Sequence, residues 1–164
     1  MAKKDAFPMT PAIRFLREHP VEFTICEYPY QEHGGTALTA EFFNVPEHQV
    51  IKTIVLENEN KKGLIVLMHG DCQISTRNLA RELGNKHIQP ATPAQANKWT
   101  GYLVGGTSPF GTKTSLPVYI EHSILELDEI YINAGKRGLL AKISPQTLSI
   151  LNPVYVNVAT GKQE

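Results

Sequence analysis

The runs Gln49-Val50-Ile51-Lys52-Thr53-Ile54-Val55-Leu56-Glu57 and Gly63-Leu64-Ile65-Val66-Leu67-Met68-His69 decide the fold class. Both are rich in β-branched and large apolar residues, and the polar Asn58-Glu59-Asn60-Lys61-Lys62 separates them. That pattern reads as a β-hairpin with a longer loop. Two successive strands with no helix between them break the strict βαβ alternation of a doubly wound sheet. Lys52 is the exception inside the first run, because an ammonium among apolar residues costs desolvation unless it reaches water or a partner. On strict alternation it shares a face with Ile54 and Leu56, so it either enters a cleft or snorkels from an edge.

Working towards the N-terminus, the alternation Val21, Phe23, Ile25 against Glu22, Thr24, Cys26 predicts a half-buried strand over Val21–Tyr28. Before it, Thr10-Pro11 reads as an N-cap with proline at the first helical position, and Pro20 stops the helix. Thr36 is a candidate cap for a short helix through Phe43. Residues 1–8 read as a loose tail ahead of a single domain over 9–164. Towards the C-terminus, Ser75 caps a helix that Gly84 ends, and Thr92-Pro93 opens another that ends near Trp99. Strands are predicted at Pro117–Glu121, Glu129–Ala134 and Leu139–Ile143, then a helix from Ser144-Pro145 to Leu151 and a strand at Val154–Val158. The order α β α β β α α β β β α β implies an α+β domain with a mixed, strongly curved sheet and helices packed around it.

The composition bounds the function. A chain of 164 residues fits one domain of the usual roughly 100–200 residues. Sixteen basic residues balance sixteen acidic ones, which argues against gripping nucleic acid by bulk charge. Cys26 and Cys72 form no CxxC pair, and none of the six histidines has metal-ligand spacing. No metal is expected. No apolar run approaches the ~20 residues of a membrane span, and no apolar stretch of about 7–15 residues follows Met1-Ala2-Lys3-Lys4. A soluble, cytoplasmic chain with no membrane partner is the expectation.

Three segments carry candidate chemistry. Gly101-Tyr102-Leu103-Val104-Gly105-Gly106-Thr107-Ser108-Pro109-Phe110-Gly111 holds the densest glycines, whose backbone N–H groups can approach a ligand oxygen. The plainer reading is a tight turn in which glycine supplies positive φ. It is no phosphate loop of the Walker kind, since Thr112 precedes Lys113. Lys52 with Thr53 is the second segment. The third is Gly135-Lys136-Arg137-Gly138, a compact cationic turn fit for phosphate or carboxylate, or simply a solvated hairpin turn. No Gly-x-Ser-x-Gly elbow exists, and neither cysteine has a nucleophile's local signature.

In order, Lys52-Thr53, the glycine loop and Ile130-Tyr131-Ile132-Asn133-Ala134-Gly135-Lys136-Arg137-Gly138-Leu139 resemble the YbaK/EbsC family of aminoacyl-tRNA deacylases, relatives of the editing domain in bacterial prolyl-tRNA synthetases. The resemblance runs from about Met9 to Val158. It implies a mixed β-barrel, no cofactor, and trans-editing hydrolysis of a mischarged aminoacyl-tRNA, cysteinyl-tRNA(Pro) in the YbaK branch. Lys52 matches the family's essential lysine, and Gly105 and Gly106 its catalytic glycine loop. Tyr28 matches a pocket tyrosine of the YbaK branch, and Thr53, Thr107, Ser108, Pro109 and Asn133 are expected to bind substrate with it, while Lys136 and Arg137 are the expected contacts to a phosphate of the acceptor end. The implied partners are the 3′ acceptor end of aminoacyl-tRNA and prolyl-tRNA synthetase. A thiolactone-forming, lyase-like route is the implied chemistry for cysteine. Departures at Asn133, Ala134 and Leu140 keep open a water-dependent deacylase for alanine or serine, and a non-catalytic tRNA-end or synthetase-binding module is the remaining alternative.

Overall fold

The computed structural model describes residues 7–162. In chain order it contains α1 (Pro11–Arg17), β1 (Thr24–Glu27), α2 (Gly35–Phe43), β2 (Val50–Asn58), β3 (Gly63–His69), β4 (Cys72–Ile74), α3 (Thr76–Leu83), β5 (Ile88–Pro90), α4 (Pro93–Thr100), β6 (Val118–Glu121), β7 (Ile130–Lys136), β8 (Leu139–Ile143), β9 (Val154–Val156) and β10 (Ala159–Lys162). Short 3₁₀ turns lie at Glu47–Gln49, His122–Glu126 and Pro145–Leu151.

The hairpin is present: β2 and β3 pair antiparallel from Ile51↔His69 to Glu57↔Gly63. They are central in a mixed sheet of order β1-β8-β7-β2-β3-β6-β9, with β5 also on β2. β2/β7, β3/β6 and β6/β9 are parallel and the other pairs of this sheet antiparallel. The chain is therefore α+β with a mixed sheet, as its element order implies.

Both faces of the hairpin are covered, which is why its strands read as nearly continuous apolar runs. Ile51, Val55, Ile65 and Leu67 join the largest core cluster with Ala12, Ile13 and Leu16 of α1 and the fully buried Phe110. Leu56, Leu64, Val66 and Met68 face the other way, against Leu79 and Ala80 of α3. On that second side Ala40 and Phe43 of α2 meet Tyr131, Leu140 and Tyr28. No described helix is long and apolar enough to cross a membrane.

Several local expectations are corrected. The first strand is four residues long, because its partner β8 supplies only Leu139–Lys142. Thr36 does not cap α2. Gly34 stands at that position without a side-chain bond, and the Thr36 hydroxyl donates instead to Glu47 Oε2 at 2.6 Å, with Gly70 O at 3.2 Å. The segment after Ser144 is 3₁₀ rather than α-helical. The final strand is two pieces: β9 pairs with β6, and β10 pairs with β4. Of the expected tail, residues 1–6 lie outside the described residues, whereas Phe7 packs against the main core.

The break between β9 and β10 is held by a buried carboxylate. Glu121, 2% exposed, accepts hydrogen bonds at Oε1 from the Val158 and Ala159 amides at 2.8 and 3.0 Å. Hydrogen bonds to a charged group contribute about 1.5–3 kcal/mol each. Glu121→Ala should therefore lower unfolding stability by about 3 kcal/mol in urea titrations, and Glu121→Gln, which keeps the acceptor oxygen, by distinctly less. Equal losses in the two variants would show that packing rather than hydrogen bonding holds the turn.

Candidate active site

The sheet is not continuous along β2. On the side away from β3, only Val50↔Tyr131 and Ile51↔Ile132 pair with β7. Pairing on that side resumes at Leu56↔Pro90 with β5, next to the bond from the Ala91 amide to Val55 O at 3.0 Å. The segment 52–54 thus lies along an opening between the two neighbours. A cavity of about 660 Å³ occupies it, lined by Lys52, Thr53, Asn133, Tyr28, Gly105 and Arg137 among others. That volume suits a small-molecule-sized group, in the usual range of about 300–1,000 Å³.

Lys52 is half-buried and its Nζ donates to Gly70 O at 3.4 Å. Burial pushes its pKa below the ordinary 10.5, while the carboxylates of Glu47 and Asp71 and the Cys72 sulfur pull it back up. This depression has no signal in the neighbouring sequence, since the burial that causes it arises only when distant segments pack around the strand. Two further polar atoms sit at the opening: Thr53 Oγ1 and Asn133 Oδ1 are both buried with no hydrogen-bond partner among the described residues. Leu140, 2% exposed, stands directly opposite Asn133 in the β7/β8 register.

The glycine loop forms one wall. Gly105 adopts φ +95°, and a Cβ there would lie 2.6 Å from the Tyr30 hydroxyl, so only glycine fits. The Gly106 amide donates to Leu103 O at 2.9 Å and is spent on the turn. A Cβ on Gly106 would meet the backbone of Lys136 and Arg137 at 2.8 Å. Gly106 is therefore a packing glycine, and the Gly105 and Thr107 residues are the ones that line the cavity. Ser108 is fully buried, its Oγ accepting from the Phe110 amide at 3.2 Å. Pro109 is buried beside it, away from the cavity lining.

Arg137 lines the cavity and closes it. Its Nε donates to Val104 O at 2.8 Å, and its guanidinium lies 5.4 Å from the Tyr30 ring centroid. Lys136 is exposed and outside the lining. The fold thus brings Tyr28, Lys52, Thr53, Gly105, Thr107, Asn133 and Arg137 together and leaves Gly106, Ser108, Pro109 and Lys136 apart. Tyr30 and Thr36 also line the cavity. The sequence reading missed both as cavity residues; the spacing of Tyr30 two residues after Tyr28 could have found the former, and no local signal could have found the latter.

Comparison with known proteins bears on this arrangement. A family described as the aminoacyl-tRNA editing domain matches residues 33–150. A candidate Cys-tRNA(Pro)/Cys-tRNA(Cys) deacylase, EbsC of Enterococcus faecalis, is 28% identical over 162 residues, 98% of this chain and 99% of that one. Proline–tRNA ligase of Brachyspira hyodysenteriae is 28% identical over 96 residues, and the match spans only 17% of that enzyme. Among solved structures, a candidate trans-editing enzyme for prolyl tRNA synthetase superimposes with TM-score 0.81 at 21% identity, covering 94% of this chain and all of that one.

Two measurements check this geometry. Arg137→Ala should speed hydrogen exchange of amides 103–107, whereas Lys136→Ala should leave them unchanged. For Lys52, an NMR titration of its ε-carbon should show a midpoint below the other lysines, and Glu47→Gln should lower it further by removing the carboxylate. Between that depressed value and 10.5 the unfolded chain holds a proton that the folded chain lacks. Stability therefore rises with pH across that window, and Lys52→Met should abolish the rise.

Proposed function

The chain belongs to the aminoacyl-tRNA editing-domain family, and from that premise we propose that it is a trans-editing deacylase that clears cysteine wrongly attached to proline tRNA. The observation that carries the reading is the cavity in the split of the sheet, where Lys52 lies with Thr53 Oγ1 and Asn133 Oδ1, two buried acceptors that no group among the described residues satisfies. A buried polar group left unpaired costs about 1–3 kcal/mol, so a ligand bringing hydroxyl or ammonium donors gains by pairing with them. The ribose hydroxyls and α-ammonium of an aminoacylated 3′ end are such donors. The extent of the match to EbsC, over nearly the full length of both chains, supports cysteine and proline tRNA as the first pair to test.

In the proposed step, the thiol of the attached cysteine attacks its own ester carbonyl. A C–S bond forms, the C–O bond to the terminal ribose breaks, and the thiol proton passes to the departing ribose oxygen. The products are deacylated tRNA and a small thiolactone, which water opens afterwards. No protein nucleophile is needed, and an intramolecular attack held in alignment gains several kcal/mol from proximity alone, of the ~7–11 available. The amides of Gly105 and Thr107, which have no hydrogen-bond partner among the described residues, line the cavity where an oxyanion would develop. Each such donor is worth about 10²–10³ in rate. Lys52 supplies positive charge to the departing oxygen or to the terminal phosphate, and its role ends when it loses its proton.

A specific observation favours a second reading, in which water removes another small amino acid. The apolar Leu140 sits opposite Asn133 at the cavity wall, which suits a small side chain as well as a thiol.

Loss of label from cysteinyl-, alanyl- and prolyl-tRNA(Pro) tests both readings. Rapid loss from cysteinyl-tRNA alone, reduced about 10²-fold or more by Lys52→Ala, is the expected result. Loss from alanyl-tRNA instead would move the chemistry to water. No loss from any substrate, with prolyl-tRNA synthetase present, would leave a binding module.

A further inference from the structure

A second cluster of reactive side chains lies behind Lys52, and neither the cavity nor the proposed deacylation uses it. His48, from the turn before β2, Asp71, from the turn after β3, and Cys72, at the start of β4, present Nδ1, Oδ1 and Sγ within 4.8 Å of one another. We propose that these three residues bind a zinc-class divalent cation, with a fourth position left for water or another small ligand.

The argument begins with distances. His48 Nδ1 is 2.9 Å from Asp71 Oδ1, and Cys72 Sγ is 3.5 Å from the same oxygen. Zinc bonds of about 2.0–2.1 Å to nitrogen and oxygen and about 2.3 Å to sulfur set tetrahedral ligand atoms ~3.3–3.6 Å apart. The Cys72–Asp71 separation already matches. The His48–Asp71 pair must open by about half an ångström, and the His48–Cys72 pair, within 4.8 Å, must close by at most about 1.5 Å. A mixed nitrogen, oxygen and sulfur donor set selects zinc and its transition-metal neighbours over calcium or magnesium, which prefer oxygen alone.

The donors are also held in place. His48 stacks on His69, ring centroids 3.5 Å apart and planes 8° from parallel. His69 is fixed in turn: its Nδ1 donates to His48 O at 2.8 Å, and its Nε2 lies 2.7 Å from Ser123 Oγ. On the other side, the backbone at Gly70 is closely packed, since a Cβ there would meet Thr36 Oγ1 at 2.6 Å and Val50 O at 2.8 Å. Such outer contacts orient metal ligands and commonly govern affinity by about 10–100-fold.

Charge does not forbid the ion. Lys52 lies close by, but the carboxylates of Glu47 and Asp71 face the same space. Burial and Asp71 push the Cys72 thiol up, so the ion must displace its proton to solvent on binding; three negative charges then meet the ammonium and a dication, and the total is zero. The ion would sit one residue from Gly70, whose carbonyl anchors Lys52.

The test uses tag-free, full-length protein stripped of metal and titrated with Co²⁺, then with Zn²⁺. The expected result is one equivalent bound, with a near-ultraviolet thiolate-to-cobalt charge-transfer band that zinc abolishes. Cys72→Ala should lose the band, Cys26→Ala should keep it, and His48→Gln should bind at least tenfold more weakly. If Cys72→Ala unfolds, His48→Gln decides alone, because the His48 side chain is 40% exposed and its replacement leaves the core intact. Absence of a thiolate band in the unaltered protein, or unchanged binding in His48→Gln, would overturn the proposal.

Discussion

The parting of β2 from β7 after two paired residues is the constraint on which the rest of the structure depends. Parallel strands normally continue their ladder, since unpaired backbone groups are costly to bury. Here β5 takes over pairing at Leu56, and the residues between remain at an opening. Because both faces of the hairpin are already packed by α1 and α3, this gap is where a ligand can reach the middle of the sheet. It also explains how a lysine survives in a run of apolar residues. Lys52 shares its side of the strand with Ile54 and Leu56, yet it lies beside the opening and has the Gly70 carbonyl to lean on.

The walls of the gap are tied together by contacts between distant segments. The Tyr102 hydroxyl donates to Phe110 O at 2.6 Å, closing the base of the glycine loop, while Arg137 holds its tip through Val104. Thr36 links α2 to both Glu47 and Gly70. Glycine is demanded at Gly105 by its positive φ and by Tyr30, and at Gly106 by the neighbouring hairpin backbone. The two glycines therefore do different things: the first shapes the cavity surface and the second lets the loop lie against the β7/β8 turn.

Much of this was legible in the amino-acid order. The hairpin, the helix signals Thr10-Pro11, Ser75, Gly84 and Thr92-Pro93, and the face on which Lys52 lies were visible because period, caps and breakers act locally. The strands Cys72–Ile74, Ile88–Pro90 and Ala159–Lys162 were not, because three or four residues carry no period and exist only through their partners. Thr36 looked like a cap because its type and place fit one. A carboxylate eleven residues on and a carbonyl thirty-four residues on compete for its hydroxyl, and no local rule can foresee either. The same holds for Cys72, whose nearness to His48 arises only when β4 turns back beside the start of β2.

The proposed chemistry asks little of the protein itself. An ester that carries its own nucleophile needs alignment, an oxyanion partner and a positive charge near the departing oxygen, rather than a triad. In the proposed reading these would come from one lysine, the amides of Gly105 and Thr107, and the Thr53 and Asn133 oxygens. The acceptors cost stability while the cavity is empty, and a ligand that pairs with them recovers that cost together with its own alignment. On the proposed reading, discrimination would rest on what can satisfy Thr53 and Asn133 at once beside Leu140. A zero net charge is compatible with that reading, because the residues it invokes line the cavity rather than form a charged surface.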